Sequence, residues 1–319
     1  MKIVILDSYV LNPGDLSFES IEELGELTVY KATEQNDEEI IRRIADSEVV
    51  ITNKTSLNSY VINNIPNVKL ICVLATGYNV VDIKAAKEKN IPVCNVPAYS
   101  TDMVAQHALS LLLEITDRVY EHSANVHKGK WAESPYFSYW DYPLIPLADK
   151  TIGIIGYGKI GQKMALICQS LGMNILSLEE HKHLNDKINC EFVSKDELLK
   201  RSDVISLHCP LTDDNKNLIN KDSISKMRDG VILINTARGA LINDNDLKQA
   251  LDSGKVSACG IDVMTSEPPE KDNPLFSCDN CFITPHIAWT AKECRKRIVD
   301  ITTENIKAYL EGKPVNQVN

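Results

Sequence analysis

The 319-residue sequence has no long hydrophobic stretch and no excess of basic residues. Its apolar runs, of which 109–113 is an example, are far shorter than the roughly 20 residues that a transmembrane helix needs. Acidic residues outnumber basic ones by 44 to 34, so nucleic acid is not an expected partner. Met1 leads directly into an apolar segment and leaves no room for a signal peptide, which favours a cytoplasmic protein that binds no membrane.

The nine cysteines also lack the arrangement of a disulfide framework or a metal site. An odd number of cysteines without a secretion signal argues against structural disulfides. Most of them fall inside apolar strand or helix patterns, where a free cysteine behaves as a small hydrophobic residue. Cys278 and Cys281 form a C-x-x-C pair, but zinc needs a second ligand pair at suitable spacing, and the sequence shows none. We therefore predict no metal site.

The segment Thr151–Gly161 (TIGIIGYGKIG) is the stretch around which the rest of the chain is organised. Its β-branched start predicts a buried parallel strand, and the residues after its glycines predict a helix. Gly156 allows a tight turn, Gly158 lets the backbone approach a pyrophosphate, and Gly161 lets the helix pack closely on the strand. The helix N-terminus adds free N–H groups for the anion.

The second half of this dinucleotide-binding pattern is present as well. Met173–Leu178 predicts a strand, and Glu179 follows it at close to the expected distance of about 20 residues from the glycines. A carboxylate there binds the ribose 2′-hydroxyl and repels a 2′-phosphate, so with Glu180 beside it NAD is favoured over NADP. The alternatives to a dinucleotide site are a flavin site and a purely structural turn.

Residues 1–99 alternate short apolar runs with amphipathic or charged stretches, which is typical of a small parallel α/β domain. Asn53 and Lys54 follow the third predicted strand, and Ala75-Thr76-Gly77 follows the fourth. Ligands collect at the carboxyl ends of such strands, so both loops are candidates for substrate binding. Ordinary turn formation is the alternative for Asn53 and Lys54.

The middle of the chain predicts one long helix followed by an irregular segment. The helix runs from about Asp102 to His122, and we interpret His107 as a packed histidine because it lies within the apolar stripe. The aromatic- and proline-rich segment 131–149 has neither helical nor strand periodicity. Long excursions of this kind are usually functional, and aromatic ones often contact another subunit. From Thr151 a second, doubly wound unit begins.

Arg238, Glu267 and His286 each follow a predicted strand of this second unit. The carboxyl ends of parallel strands meet at one edge, so these side chains should face the crevice of the glycine loop. Any one of them could be a surface charge or a capping residue, but the three beside a nicotinamide indicate hydride transfer. Histidine can protonate a nascent alkoxide near neutral pH, a carboxylate can hold the imidazolium, and arginine can grip an α-keto carboxylate.

The chain resembles the D-isomer-specific 2-hydroxyacid dehydrogenases over essentially its whole length. Five ordered motifs carry the resemblance: GYGKIG, HCPLT, NTARG, DVMTSEPP and TPHIAW. The resemblance implies an α/β fold in which a Rossmann NAD-binding domain, 101–286, is inserted into a smaller flavodoxin-like substrate domain, 1–100 plus 287–319. It also implies that Arg238, Glu267 and His286 are the catalytic arginine, glutamate and histidine.

The same resemblance implies a set of binding residues. The residues expected to contact NAD are Gly156, Gly158, Lys159, Ile160, Gly161, Glu179, Cys209, Pro210, Thr236, Ala237, Asp262 and His286. Among these, Asp262 is expected to hold the nicotinamide carboxamide. The residues expected to contact substrate are Asn53, Ala75, Thr76, Gly77 and Arg238. Glu179 stands where the family more often has aspartate, which keeps the carboxylate on a side chain one methylene longer.

Within the family, the tripeptide TNK at 52–54, the segment 131–144 and Trp289 look like the glycerate dehydrogenase (hydroxypyruvate reductase) branch. That branch implies interconversion of hydroxypyruvate and D-glycerate by a homodimer that the long helix and the aromatic segment build. The alternatives are another 2-hydroxyacid dehydrogenase, acting on glyoxylate, D-lactate or 3-phosphoglycerate, and a non-catalytic NAD-sensing regulator of the same fold. The intact set Arg238, Glu267 and His286 argues against the regulator.

Overall fold

The computed structural model describes residues 1–178 and 187–319, and it divides the chain into two compact units. Unit 1 consists of Met1–Ser100 and Trp289–Asn319, and unit 2 consists of Thr101–Ala288. Unit 2 is therefore inserted into unit 1 along the chain. Each unit is built on its own parallel sheet.

Unit 1 contains a five-stranded sheet in the order β2-β1-β3-β4-β5. Its strands are β1 (Lys2–Ile5), β2 (Glu26–Val29), β3 (Val49–Thr52), β4 (Leu70–Val73) and β5 (Val93–Cys94). Its helices are α1 (Glu19–Glu22), α2 (Asp37–Ile44), α3 (Ser59–Asn63), α4 (Ile83–Glu88) and α11 (Lys292–Leu310). This strand order is the flavodoxin-like one, so the predicted fold class is confirmed for this unit.

Buried apolar residues explain why these strands form. β3 and β4 are buried along their whole length and consist mainly of Val, Ile and Leu, as expected of parallel strands covered on both faces. Helix α11 packs against β4 and brings the C-terminal part of the chain into unit 1. Its Arg295 forms a two-pronged salt bridge with Asp15, with both N–O distances 2.7 Å, and so fastens the segment after β1 to α11.

Unit 2 begins with two helices and continues with a seven-stranded sheet in the described part of the chain. The first helices are α5 (Thr101–Asp117) and α6 (Val119–His127). The strands are β6 (Thr151–Ile155), β7 (Asn174–Leu178), β8 (Cys190–Val193), β9 (Val204–Leu207), β10 (Val231–Asn235), β11 (Val256–Ile261) and β12 (Cys281–Ile283). The later helices are α7 (Lys159–Ser170), α8 (Lys195–Arg201), α9 (Lys221–Lys226) and α10 (Asp244–Asp252), with short 3-10 turns at 213–215, 239–241 and 274–277.

The sheet of unit 2 has the strand order β12-β11-β10-β9-β6-β7-β8, with every pair parallel. The chain runs outward from β6 through β7 to β8 and then returns to β9 on the other side of β6. This reversal is the doubly wound topology that was predicted, and the fold class is confirmed for this unit too. In such sheets ligands bind at the carboxyl end of the strands beside the reversal.

The boundary between the units differs slightly from the predicted one. The sequence predicted that the chain leaves the nucleotide-binding domain after His286, whereas Ile287 and Ala288 still belong to unit 2. Both residues donate their backbone N–H groups to the carboxylate of Asp262, at 2.8 and 2.9 Å. That contact holds them to the carboxyl end of β11.

The long helix predicted from 102 to 122 is interrupted. Arg118 adopts a left-handed backbone conformation, with φ of +50°, and separates α5 from α6. Its guanidinium lies over the rings of Tyr142 and Phe282, at 4.9 and 4.5 Å from their centroids, and these contacts stabilise the break. The segment 131–149 is irregular, as predicted, and carries exposed aromatic side chains. Among the described helices, none combines the length and the apolar character needed to cross a membrane.

Candidate active site

The glycine loop after β6 closes tightly against the loop after β9. Gly156 has a φ of +101°, a conformation that residues with a Cβ atom rarely adopt. A Cβ atom at this position would lie 2.4 Å from the backbone nitrogen of Cys209 and 2.5 Å from the carbonyl carbon of His208. The two loops can therefore approach each other only because residue 156 is glycine.

The other two glycines have different tasks. A Cβ atom at Gly161 would lie 2.1 Å from the carbonyl oxygen of Gly156, so this glycine lets α7 pack onto the turn. A Cβ atom at Gly158 would meet nothing within 4 Å, so protein packing does not explain why this position lacks a side chain. Gly158 directly precedes α7, whose first N–H groups, beginning with those of Lys159 and Ile160, have no acceptor within the helix. An open backbone before a helix N-terminus fits a pyrophosphate.

A buried hydroxyl group beside this loop supports the same fit. Thr236, directly after β10, is buried, and its Oγ1 has no hydrogen-bond partner among the described residues. A buried hydroxyl without a partner costs stability, so an external hydrogen-bonding group is its natural complement. On the neighbouring β9 loop, the side-chain amide of Asn215 donates to the carbonyl oxygen of Pro210 at 2.8 Å and orders the residues next to Cys209. These residues fit a bound dinucleotide.

Two acidic residues of the predicted dinucleotide site lie outside the part of the chain that the structure describes. Glu179, predicted to bind the ribose, and its neighbour Glu180 fall in the segment 179–186, beyond the described residues. Their assignment therefore rests on the sequence alone.

His286 and Glu267 are in direct contact. The Nδ1 atom of His286 lies 2.7 Å from Oε2 of Glu267, and both side chains are partly exposed. The other carboxylate oxygen of Glu267 accepts the backbone N–H of Met264 at 3.1 Å, which fixes the carboxylate from behind. Because Nδ1 is engaged, Nε2 is the ring nitrogen that remains for a reacting group.

The backbone at His286 is unusual and is held in place by Asp262. His286 has a φ of +55°, in the left-handed region that residues other than glycine seldom occupy. Asp262 follows β11 directly, is 1% exposed, and accepts the N–H groups of Ile287 and Ala288 and the hydroxyl of Thr284. Its carboxylate therefore binds the turn that carries His286 on both sides of that residue.

Hydrogen bonds also keep Asp262 ionised. Burial alone would raise the pKa of Asp262, but the contacts from His107, from Thr284 and from the two backbone N–H groups lower it below its ordinary value. The sequence predicted that Asp262 binds the nicotinamide carboxamide, and that remains a prediction. The contacts within unit 2 give this carboxylate a second task that the sequence did not indicate, which is to order the turn at 284–288.

His107 is the residue of this network that sequence reasoning missed. It lies on α5, where its apolar neighbours suggested simple packing. Its Nε2 atom is instead 2.9 Å from Oγ1 of Thr284 and 3.4 Å from Oδ1 of Asp262. The available signal was that a histidine in an apolar stripe needs a polar partner when it is buried.

Arg238 lies at the carboxyl end of β10, next to the strand that leads to Asp262 and Glu267. Its side chain is exposed, and its guanidinium donates to the carbonyl oxygen of Ala237 at 2.6 Å. The side-chain amide of Asn235 donates to the Arg238 carbonyl oxygen at 2.9 Å, while its oxygen accepts the N–H of Ala237. Asn235 thereby fixes the backbone around Arg238 and leaves the cationic head accessible to an anion.

In unit 1 the loop after β3 is organised by Asp7, which follows β1. Its carboxylate accepts the backbone N–H groups of Asn53, Lys54 and Thr55, at 2.7, 2.5 and 2.8 Å. Since these N–H groups face Asp7, they are not available to a ligand. Asn53 is buried, and Lys54 is exposed.

The loop after β4 is held by the neighbouring segment of unit 1. The hydroxyl of Thr76 donates to the carbonyl oxygen of Val96 at 2.9 Å, and the side-chain amide of Asn95 donates to the carbonyl oxygen of Thr76 at 2.8 Å. The N–H of Val96 donates to the carbonyl oxygen of Ala75. The carbonyl groups of Ala75 and Thr76 are thus engaged in hydrogen bonds within unit 1. Asn53, which follows β3, and Ala75, Thr76 and Gly77, which follow β4, come after neighbouring strands at the carboxyl edge of the unit 1 sheet.

No metal site accompanies these groups. Within residues 1–178 and 187–319, no three His, Cys, Asp or Glu side chains are placed to hold a metal ion. All nine cysteines, each of which lies in the described part of the chain, are free thiols. Cys281 of the C-x-x-C pair instead lies beside Cys259, with 3.1 Å between the two sulfur atoms.

Residues 109–288 match the family described as "D-isomer specific 2-hydroxyacid dehydrogenase, NAD binding domain". The chain is 52% identical over 321 residues to a hydroxypyruvate reductase of Blautia hydrogenotrophica, which covers all of both chains. It is 37% identical to a glycerate dehydrogenase of Methylorubrum extorquens, covering 99% of this chain and 98% of the relative. Its structure is similar to that of a D-lactate dehydrogenase from Aquifex aeolicus complexed with NAD and lactic acid, with a TM-score of 0.85, 29% identity and all of both chains covered.

Proposed function

Since the chain belongs to the D-isomer-specific 2-hydroxyacid dehydrogenases, the family that its ordered motifs predicted, we propose that it reduces hydroxypyruvate to D-glycerate with NADH. NAD is the cofactor of the matched domain. The substrate is supported by full-length similarity to a hydroxypyruvate reductase and to a glycerate dehydrogenase. The single observation that carries the chemistry is the 2.7 Å contact between His286 and Glu267 beside a glycine loop that fits a dinucleotide.

His286 is the proton donor in this proposal. When NADH is bound it supplies the hydride, and the ketone oxygen then needs a proton. With Nδ1 held by Glu267, Nε2 of His286 is the nitrogen that can give that proton, and in the reverse direction it takes the proton back. Glu267 fixes the tautomer and the orientation of the ring.

Arg238 binds the carboxylate of the 2-keto acid. Its guanidinium is exposed at the carboxyl end of β10, on a backbone that Asn235 orders. A planar guanidinium can donate two parallel hydrogen bonds to a carboxylate, which positions the adjacent ketone.

We assign a substrate-binding role in unit 1 to Asn53, Ala75, Thr76 and Gly77. They lie at the carboxyl ends of β3 and β4, two neighbouring strands, where ligands of parallel sheets collect. The backbone N–H of Asn53 is already bound by Asp7, so the side chain is the part of this residue that we assign to the substrate. Its amide offers a donor and an acceptor, which suit a hydroxyl group. The backbone N–H groups of the 75–77 loop suit a carboxylate.

One panel of initial-rate measurements tests the proposed function. Hydroxypyruvate, glyoxylate, pyruvate and 3-phosphohydroxypyruvate are each reduced with NADH and with NADPH. We expect hydroxypyruvate to give the highest kcat/KM, and NADH to exceed NADPH by at least about tenfold, or ~1.4 kcal/mol, if Glu179 binds the ribose. A higher kcat/KM for another acid would change the substrate, and equal rates with both cofactors would remove the role of Glu179. Binding of NADH without turnover of any acid would support the regulator instead.

The assembly and location that we propose are a homodimer in the cytoplasm. Phe137, Tyr136 and Trp140 are 92%, 73% and 69% exposed in the irregular segment 131–149, and such a cluster of exposed aromatic groups marks a contact surface. Nine free thiols suit a reducing compartment. Light scattering at micromolar concentration should give the mass of two chains, and Phe137→Ser with Trp140→Ser should lower it. A wild-type mass of one chain would rule out the dimer.

A further inference from the structure

His107 makes two polar contacts from an otherwise apolar helix face. Its side chain is 12% exposed, and its Nε2 atom lies 2.9 Å from Thr284 Oγ1 and 3.4 Å from Asp262 Oδ1. Thr284 Oγ1 is in turn 2.6 Å from Asp262 Oδ1. The three groups form one connected cluster between α5 and the turn that leads to His286.

The hydrogen positions in this cluster follow from the short contact. A hydroxyl 2.6 Å from a carboxylate oxygen must donate its proton, because an ionised carboxylate only accepts, and the pKa of Asp262 is lowered. Thr284 Oγ1 therefore accepts from its other neighbour, so Nε2 of His107 carries a hydrogen. His107 donates this hydrogen to the oxygen of Thr284, and Nε2 also lies 3.4 Å from Oδ1 of Asp262.

A close approach of α5 to the sheet makes this contact possible. Gly260, on β11, has no side chain, and a Cβ atom there would lie 2.8 Å from Cβ of Leu111 and 3.4 Å from Cδ1 of Ile115. The missing side chain lets α5 lie directly on β11. His107 stands one helical turn before Leu111, and Asp262 stands two residues after Gly260, so the same approach brings the imidazole to the carboxylate.

The cluster holds the turn that carries His286. Asp262 binds the N–H groups of Ile287 and Ala288, and the carbonyl oxygen of Thr284 accepts the N–H of His286 at 3.0 Å. His286 itself has a φ of +55°, which persists only where the surroundings determine it. A loss of the donor at residue 107 would remove the contact that ties Thr284 and Asp262 to α5.

We propose that His107 is a positioning residue for His286: through Thr284 and Asp262 it fixes the turn at 284–288 and so keeps the imidazole of His286 on Glu267. The catalytic part of this inference rests on the proposed function, whereas the positioning part concerns only contacts within unit 2. His107 itself does not touch the reacting atoms.

Two substitutions separate positioning from simple packing. His107→Leu removes the donor at similar volume, and His107→Gln keeps an N–H group at the position of Nε2. Gln106→Leu, on the exposed side of the same helical turn, is the matched control. We expect His107→Leu to lower kcat about tenfold, with NADH affinity unchanged within twofold, since outer contacts that orient a functional histidine have effects of this order. His107→Gln should restore kcat to within about threefold of wild type, and Gln106→Leu should match wild type.

Imidazole NMR of His286 decides the question independently of turnover. In wild type and in His107→Gln, the Nδ1 proton of His286 should give the low-field signal of a hydrogen bond to a carboxylate. In His107→Leu, that signal should weaken or disappear while the thermal unfolding temperature stays within a few degrees. An unchanged His286 signal in His107→Leu would overturn the inference, as would equal losses of kcat in the Leu and Gln variants. If the wild-type protein turned over no 2-keto acid, the proposed function would fail, and the NMR comparison would still test the positioning role.

Discussion

Two carboxylates, partly buried Asp7 and fully buried Asp262, organise the carboxyl edges of the two sheets in the same manner. Asp7 follows β1 and accepts three N–H groups from the loop after β3, its neighbouring strand. Asp262 follows β11 and accepts two N–H groups from the turn after β12, again the neighbouring strand. In both units an acid at the end of one parallel strand binds the backbone that follows the next strand.

The two carboxyl groups nevertheless differ in their acidity. Burial raises the pKa of Asp7, and the three backbone N–H groups reduce that rise without reversing it. Burial also acts to raise the pKa of Asp262, but side-chain donors from His107 and Thr284, added to the backbone N–H groups, lower it overall. Asp7 also receives a side-chain hydrogen bond from Thr55, so the balance between burial and all the hydrogen-bond donors sets the direction of each pKa shift.

The opposite pKa shifts of Asp7 and Asp262 match the tasks that we propose for the two loops. The turn held by Asp262 carries the proposed proton donor, and a carboxylate that stays ionised keeps this turn in one conformation over a wide pH range. The loop held by Asp7 carries Asn53, for which we propose substrate binding. The proposed proton transfer therefore belongs to unit 2.

The largest expected effect is the loss of His286. His286→Ala removes the proton donor and should lower kcat by roughly 10²–10⁴ while NADH binding is retained. Asn53→Ala, the matching change in unit 1, should mainly raise KM and alter kcat by less than about tenfold. Steady-state kinetics with hydroxypyruvate and fluorescence titration with NADH measure both. If Asn53→Ala lost as much kcat as His286→Ala, the assignment of the chemistry to unit 2 would be wrong.

Glu267→Gln tests the other carboxylate of unit 2, which contacts the ring of His286 rather than its backbone. The neutral amide of glutamine can still contact Nδ1 but is a weaker acceptor than a carboxylate, so kcat for the reduction should fall about tenfold. The loss should be smaller than that of His286→Ala, which removes the proton donor itself. An unchanged kcat in Glu267→Gln would mean that the proton donor is not supported by Glu267.

Neutralising the two organising acids should have unequal effects on stability. Asp262→Asn replaces a charged acceptor with an amide whose NH₂ group faces donors, and should cost about 2–3 kcal/mol of unfolding free energy. Asp7→Asn should cost less, about 1–2 kcal/mol, because it also removes a charge whose burial is unfavourable. Urea unfolding at pH 7 compares the two variants with wild type. Equal losses, or a larger loss for Asp7→Asn, would contradict the difference drawn between these residues.

The smallest effect is the pH dependence of those losses, and its sign differs between the two acids. Asp262 has a lowered pKa in the folded state, so its stabilisation is present above the unfolded value of about 3.9 and disappears as pH falls through the folded value. Asp7 has a raised pKa, so its contribution is greatest below the unfolded value and is lost as pH rises through the folded value. From pH 7 to pH 4, the deficit of Asp7→Asn should grow. Below pH 4, the deficit of Asp262→Asn should shrink. Parallel pH profiles for the two variants would show that the carboxyl groups of Asp7 and Asp262 in the wild-type protein do not differ in acidity.

Most of the architecture and the catalytic candidates could be read from the sequence because their signals are local. A buried parallel strand is encoded in four or five consecutive apolar residues, as in β3, β4 and β10, and the glycine loop in the eleven residues of Thr151–Gly161. Arg238, Glu267 and His286 could be found because each follows such a strand, and parallel strands bring their ends to one edge. Their catalytic roles come from the resemblance to the family and stay predictions.

Only the tertiary structure decided which polar groups meet across distant segments. His107 and Thr284 are 177 residues apart in sequence, and Asp7 and Asn53 are 46 apart. Periodicity predicts that a residue such as His107 is buried, but not which atom lies opposite it, because that depends on how closely α5 approaches β11. The opposite pKa shifts of Asp7 and Asp262 have the same origin, since hydrogen bonds formed on folding, and not the identity of the residue, determine how strongly a buried carboxylate holds its charge.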